Sequence, residues 1–600
     1  MRIAKVKIAN FRGIAQAELQ FSGHTVLVGD NNSGKSTVLE AIDLVLGPDR
    51  LSRISPIDEH DFYAGRYLDD ELNPVAIEIE LVIVDLIPEQ IRHFKDHLEF
   101  WDDVSQHLLS TPPIEAIDST TVKEALRVRF KGSYSAEDDE FEAETLFCSP
   151  ESESGNQSSF KSHDKRMCGF LYLRSLRTGS RALSLERGSL LDIILRVREI
   201  RPKMWEQVLT QLRSLPVADA PEIGVSEILT GFQSALNEFV PDEWASNPHL
   251  RVSDLTRDHL RRTLTVFMAT GAKTSTGQHA APFQHQGTGT TNVLVLALLS
   301  MIAESKKTVI FAMEEPETAI PPSTQKSIVS GVRTKSSQAI FTSHSPYVLE
   351  EFDPEQIFVL ARNSDGKLTS KPAKFPSHIK PKAYSSEFRM RFAEALLSRR
   401  VLILEGQTEH SAYPVAARRL AELDPERYSS LESLDIAVFC AKTDSQIAAS
   451  GELFRDLNKK VFAIYDRQTD LEQKRKIEAA VDHAFEAPSR GFEVLLVSEI
   501  AEDALRRFAA KIVASGDWPS HLNDCKPEAG TTLLDLQSTI KKFLIHGKGE
   551  GYAGDLLVEC TLAEMPATVK DNLEKIKTIA CPPLPSPSVI SAEQDNASGI

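Results

Sequence analysis

The sequence predicts a multidomain α/β chain, a nucleotide-binding unit followed by a second parallel-sheet unit. Three observations carry this. A glycine-rich loop, GDNNSGKS over Gly29–Ser36, lies between an apolar strand-like run and an amphipathic helix. Two later strand-like runs end in EEPE (314–317) and SHSP (343–346). Two more, beyond residue 400, each end in a carboxylate, Glu405 and Asp466.

The elements follow in order. Ile3, Val6 and Ile8, then Ala15, Ala17, Leu19 and Phe21, alternate as two strands joined near Asn10–Gly13. Thr25–Val28 is a short buried strand. In Ser36–Leu46, the residues Val38, Leu39, Ile42 and Leu46 make one helical stripe. Residues 75–83, 124–130, 141–147 and Phe170–Leu173 read as strands, with 149–166 as a polar loop. From Gly188 to Arg262 the pattern is helical. Thr263–Met268 is strand-like, Gly271–Gly289 a polar loop and Asn292–Glu304 an apolar helix. Strands follow at Thr308–Ala312, Ala339–Thr342, Val401–Leu404, Val461–Tyr465 and Phe492–Val497.

Six hundred residues exceed one hydrophobic core, so two to four domains are expected. Composition is that of a globular protein, 41% hydrophobic and 26% charged. Six cysteines show no C-x-x-C pair, which points to a reduced, cytoplasmic setting. The opening MRIAKVKIANF has no apolar signal core, and no apolar run reaches membrane-spanning length. The net charge of -18 argues against a general phosphate-binding surface but allows a local basic groove. Candidates for one are Arg174, Arg177, Arg181, Arg251, Arg257, Arg261, Arg262, Arg399, Arg400, Lys541, Lys542 and Lys548.

The loop matches G-x-x-x-x-G-K-[ST], whose backbone N–H groups gather around phosphate at a helix N-terminus. Asn31, Asn32, Ser33, Gly34, Lys35, Ser36 and Thr37 would cradle ATP, with Lys35 on the β/γ-phosphates and Ser36 on Mg²⁺. In EEPE, Glu314 would organise Mg²⁺ and Glu315 would orient the attacking water. His344 would sense the γ-phosphate. Gln286, Gly287, Thr288 and Gly289, before an apolar helix, could give polar groups to phosphate from a second subunit.

Glu405 follows a buried strand, and Glu409 returns to the same side one helical turn later. Asp466 ends another strand, Asp470 follows it, and Glu502 and Asp503 follow the run at 492–497. Carboxylates converging from strand ends suit hard divalent ions such as Mg²⁺ or Mn²⁺ and phosphodiester hydrolysis.

The P-loop, long insertion, degenerate signature loop, EEPE and SHSP resemble ABC-type ATPases related to RecF and the SMC proteins. The opening IANFRG and Phe170–Arg196, FLYLRSLRTGSRALSLERGSLLDIILR, resemble the overcoming lysogenization defect (OLD) family. That resemblance implies an ABC/SMC/RecF-like P-loop ATPase with a helical insertion, followed by a Toprim α/β domain. It implies a homodimer, with Lys35 and Ser36 facing the Gln286–Thr290 loop of the other copy. It also implies a metal-dependent DNA nuclease, related to the nuclease component of Gabija-type anti-phage systems, with a helicase or other defence protein as a further partner. Glu405 takes the place of the leading Toprim glutamate, Glu409 of an added ligand and Asp466 of the first Asp in D-x-D. Glu502 and Asp503 take the place of the later acidic pair, with Glu499 as the alternative register. Lys548 takes the place of the lysine at the scissile phosphate. The chain departs from the pattern where Gln468 replaces the second Asp, where LSGGQ is missing, and where EEPE runs on as TAIPPS. The expected layout is ATPase 1–187, helical arm 188–262, ATPase 263–358, linker 359–395, Toprim 396–575 and flexible tail 576–600.

Overall fold

The computed structural model describes residues 1–600 apart from 49–55, 110–120, 151–156, 174–184, 186–188, 198–200, 215–224, 239–255, 275–276, 286, 288–293, 295–296, 299–300, 302–308, 319, 375–385, 529, 549 and 582–600. The chain divides into two units, Met1–Val28 with Asn32–Ser370, and Gly29–Asn31 with Lys371–Ile600.

One mixed sheet organises the first unit. Its strands are β1 (Arg2–Phe11), β2 (Ile14–Gln20), β3 (Thr25–Val28), β4 (Ile77–Val84), β5 (Leu98–Asp102), β6 (His107–Leu109), β7 (Val122–Ser135), β8 (Glu140–Phe147) and β9 (Phe170–Leu173). After a separate hairpin, β10 (Phe267–Thr274) and β11 (Gly277–Pro282), come β12 (Ile310–Glu314), β13 (Gln338–Thr342), β14 (Ile357–Arg362) and β15 (Lys367–Pro372). The order is β6-β5-β7-β4-β1-β2-β15-β14-β3-β13-β12-β9, with β8 on β7.

The two halves of this sheet obey different rules. Around β1 and β4 the pairing is antiparallel. There Ile3, Val6 and Ile8 are buried while Lys7 is exposed. Around β3 it is parallel, to β13 and β14, and β12 pairs parallel with β13 and β9. A parallel strand is covered on both faces, so all four residues of β3 are buried. The helix Lys35–Leu46 lays Val38, Leu39, Ile42 and Leu46 into the same core, each stabilising the fold by roughly 1.5–3 kcal/mol.

Several expectations are corrected. Part of the polar stretch 149–166 is a helix, Ser162–Cys168. Residues 267–282 form a hairpin where a loop was expected over most of 271–289. The region 359–395 is more than a linker, because β14 and β15 pair with β3 and β2. The described elements between Leu190 and Thr263 are helices, as the pattern indicated. Most of Asn292–Glu304, and Arg174, Arg177, Arg181 and Arg251, lie outside the described residues.

The second unit holds a parallel sheet of β16 (Arg400–Leu404), β17 (Ile436–Cys440), β18 (Lys460–Tyr465) and β19 (His483–Glu486), in the order β17-β16-β18-β19. β17 and β19 were missed in the sequence. Phe492–Val497, read there as a strand, lies in the helix Phe492–Glu499. A continuous apolar run has no period that separates the two, and Gly491 turns the chain at φ 94 before it.

Candidate functional site

Two sheet edges carry the candidate chemistry. In the first unit β3, β13 and β12 run parallel in adjacent positions, so their C-terminal ends share one edge. Thr342 lies opposite Leu27 and Glu314 opposite Thr342. The P-loop, EEPE and SHSP therefore leave the sheet side by side, where α/β folds bind ligands. Gly34 is the left-handed N-cap of the helix Lys35–Leu46, and Lys35 is buried. Ser33 Oγ is buried without a hydrogen-bond partner among the described residues, a donor that suits an acceptor such as a phosphate oxygen.

The carboxylates of EEPE are individually held. Glu314 Oε1 accepts from Tyr172 Oη at 2.5 Å. Glu315 sits at φ 43, and its N–H donates to Thr342 O at 2.9 Å. Glu317, unnamed in the sequence reading, joins the two motifs. Its carboxylate accepts from His344 N at 2.6 Å and from Ser343 Oγ at 3.0 Å. Burial pushes the Glu317 carboxyl above its ordinary value, opposed by those hydrogen bonds. The His344 side chain is exposed. Gly287 is described and exposed, while Gln286, Thr288 and Gly289 lie outside the described residues.

In the second unit Glu405 follows β16 and Asp466 follows β18, paired neighbours in register up to Leu404 and Ile464. Asp466 N donates to Glu405 Oε2 at 3.0 Å. Glu409 is 8% exposed in the first turn of the helix Gln407–Leu423. A side chain at position 406 would collide with Glu409 Oε2 at 2.4 Å, so Gly406 lets that carboxylate fold back over the turn. Burial, together with the Asp466, Glu493 and Glu405 charges, pushes the Glu409 carboxyl up to about 7. Burial also raises Glu405 and Asp466, with neighbouring carboxylates adding to it.

Glu493 completes the group and was not recognised in the sequence. It is 5% exposed, accepts from Thr408 Oγ1 at 2.8 Å and pairs with Lys548 Nζ at 3.3 Å. Tyr413 stacks on Phe492 with ring centroids 5.6 Å apart, which packs the Glu409 helix against the Glu493 helix. A charge inside FEVLLV was the available signal, since a buried carboxylate needs partners.

The other expected ligands, and the register alternative Glu499, have separate partners. Asp470 caps the helix Leu471–Ala480 by accepting from Glu472 N at 2.8 Å. Glu502 pairs with Arg506 one turn on, and the Asp503 charge acts on Arg507. Glu499 accepts two hydrogen bonds from Thr568. Gln468 Nε2 donates to Asp466 O at 3.0 Å. Several basic candidates are likewise engaged: Arg400 donates to Leu434 O and Ala580 O, and Arg257 pairs with Glu206.

The donor chemistry fits a hard cation. Buried carboxylates that raise one another's proton affinity are relieved by a divalent ion. Among the described residues, no three acidic, histidine or cysteine side chains already converge as a coordination set.

A P-loop edge and a carboxylate-lined parallel sheet define a P-loop ATPase joined to a Toprim unit. The family description "AAA ATPase domain" (AAA_15) matches residues 1–349, and "Overcoming lysogenization defect protein-like, TOPRIM domain" matches 396–467. The chain belongs to the AAA ATPase (AAA_15) family and carries an OLD-like Toprim domain, the OLD-type ATPase–Toprim architecture. The Old nuclease of Escherichia phage P2 is similar, 23% identical over 452 residues, covering 71% of this chain and 72% of that protein. Among solved structures, an SmcHead bound to the C-winged helix domain of ScpA covers 62% of this chain and 98% of its own at 12% identity, with a TM-score of 0.34. The SMC head domain from Thermotoga maritima covers 62% and 100% at 14% identity, with a TM-score of 0.29. Likeness at that level assigns nothing to this chain. Among the described residues no helix is long and apolar enough to cross a membrane.

Proposed function

We propose that this chain is an ATP-regulated, divalent-metal-dependent DNA endonuclease or nickase that works in the cytoplasm, in anti-phage defence or DNA processing. The family architecture supports a nuclease joined to an ATPase. The observation that carries the reading is the carboxylate edge at the ends of β16 and β18: Asp466 N donates to Glu405 Oε2, the Asp466, Glu493 and Glu405 charges act on the buried Glu409, and Lys548 pairs with Glu493.

Mg²⁺ or Mn²⁺ held there would activate water and brace the leaving oxygen. Glu405, Glu409, Asp466 and Glu493 would hold the ion. Lys548, paired with Glu493, stands ready to meet charge developing on the phosphoryl oxygen. Asp470, Glu502 and Asp503 are not carried into this ligand set. At the other edge Lys35 and Ser36 would take the ATP phosphates and Mg²⁺, with Glu314, Glu315 and His344 around the reacting end. A homodimer would bring the Gln286–Thr290 loop of one copy to the P-loop of the other. A helicase is one partner class to test.

The test is incubation of purified protein with supercoiled plasmid and Mg²⁺ or Mn²⁺. Cleavage is expected for the wild type and is lost in Glu405→Ala and Asp466→Ala. Unchanged cleavage in both variants rejects the site.

A second reading has its own observation. Gln468 spends its amide on the Asp466 carbonyl where the family pattern has a carboxylate. A DNA-end-binding or repair ATPase with little nuclease activity would bind DNA in a nucleotide-dependent way and leave it intact with either metal.

A further inference from the structure

The turn Ser489-Arg490-Gly491 is fastened to the end of β18 on both sides. Arg467 N donates to Ser489 O at 3.2 Å, and Gly491 N donates to Asp466 Oδ2 at 2.7 Å. Between these two ties the Arg490 side chain is exposed, with no hydrogen bond or ion pair to any described residue. Its positive charge acts on both Glu405 and Asp466. Ser489 Oγ is buried and has no hydrogen-bond partner among the described residues. Gly491 then precedes the helix Phe492–Glu499 as its N-cap and, having no side chain, gives no side-chain cap. The first-turn N–H groups of Phe492 and Glu493 are ones that a helix leaves without an internal acceptor. The φ of 94 at Gly491 is left-handed, so an L side chain there would strain the turn.

A guanidinium without a partner among the described residues, an orphan hydroxyl and a helix N-terminus thus follow one another in sequence, in a turn tied to Asp466. Each favours an anion, and together they suit a tetrahedral phosphate oxygen set. Carboxylates alone would repel a polyanionic substrate, and Lys548 is already paired with Glu493.

We infer that Ser489, Arg490 and the N-terminus of the helix Phe492–Glu499 hold a backbone phosphate of the nucleic acid next to the one being cut. This rests on the nuclease reading of the neighbouring carboxylates. Arg490 holds the strand against the repulsion of Glu405 and Asp466. Ser489 Oγ donates to the same phosphate.

The experiment measures binding of a fluorescent DNA duplex by anisotropy, with EDTA present, across a range of salt concentrations. The full chain is compared with R490Q, R490K and S489A, and melting curves confirm that each is folded. R490Q is expected to bind about 10-fold more weakly, with the slope of log affinity against log salt reduced by about 1. R490K should keep most of the slope, and S489A should lose a few-fold in affinity. With Mn²⁺ added, R490Q should raise KM for cleavage more than it lowers kcat. Equal affinity and slope for wild type and R490Q overturn the inference while leaving the nuclease reading intact. Arg490-dependent binding by a wild type that never cuts supports the phosphate contact and rejects the nuclease. Inorganic phosphate is titrated in parallel by phosphorus NMR. If R490Q loses phosphate binding but keeps DNA affinity, the turn serves a free anion and the inference fails. A wild type that binds no DNA also overturns it.

Discussion

Thr408 Oγ1 donates to Glu493 Oε1 at 2.8 Å, joining the first turns of two helices that each carry a buried carboxylate. The bond matters because Glu493 has only this hydroxyl and Lys548 as side-chain partners among the described residues. Thr408→Val keeps the shape and removes the donor. We expect a stability loss of about 1–3 kcal/mol, the cost of leaving a buried acceptor short of a partner. A melting curve and a cleavage assay on one preparation check it. Thr408→Ser should restore both.

The two sheet edges should separate under mutation. Lys35→Ala removes the cation nearest the β/γ-phosphates, so ATP turnover should fall at least about 100-fold, in line with the loss of an electrostatic stabiliser. Glu315→Gln should keep more ATP binding than turnover. Glu405→Ala should abolish plasmid cleavage while ATP hydrolysis continues. Loss of ATPase activity in Glu405→Ala, with the fold intact, would sink the two-site reading.

Asp470 gives a contrasting case. Its carboxylate caps the helix Leu471–Ala480 and is exposed. Asp470→Ala should cost about 1 kcal/mol of stability and leave cleavage near wild type. Asp470→Asn should recover the stability. A cleavage loss like that of Glu405→Ala would return Asp470 to the metal-binding set.

Lys165 sets a pH dependence of stability in the first unit. Its Nζ is buried and donates to Leu44 O at 3.1 Å, near the C-terminal end of the P-loop helix. Burial, partly offset by Asp43, lowers the ammonium to about 8 from 10.5. The unfolded chain therefore binds this proton more tightly between pH 8 and 10.5. Stability rises with pH across that window, and the penalty is fully present below pH 8. It is on the order of 3 kcal/mol. The gap in unfolding free energy between Lys165→Met and wild type should shrink by that order from pH 8 to 10.5. Parallel profiles would refute it.

ATP should change DNA affinity or cutting rate, since regulation requires a coupling free energy between the two sites. Rates with no nucleotide, ATP, ADP and a nonhydrolysable analogue test this. Four equal rates and four equal affinities remove regulation from the proposal.

The sequence made the sheet-edge chemistry legible wherever a residue type and a period agreed. Thr25–Val28, GDNNSGKS and the stripe Val38, Leu39, Ile42, Leu46 could only suit a strand, a phosphate loop and a helix packed on a sheet. Glu405 and Asp466 were legible because each ends a short apolar run. Glu493 was not, because the other five residues of Phe492–Val497 are apolar and hide whether its one charge faces a sheet or a helix partner. Asp470 and Glu502 carry two readings in the sequence for a physical reason: acidic residues are also favoured at helix starts, where they cap N–H groups and meet the dipole. β14 and β15 were hidden by the polar turn Asn363-Ser364-Asp365-Gly366 and by β15 itself, KLTSKP, in which only Leu368 is buried.

The return of β14 to a place beside β3 has a practical edge. The family description ends at residue 349, eight positions before this strand begins. An excised ATPase fragment stopped there would expose the backbone of the very strand that feeds the P-loop. It would offer that bare flank to neighbouring molecules and invite aggregation. A clean dissection of this chain should therefore carry the first fragment through Pro372.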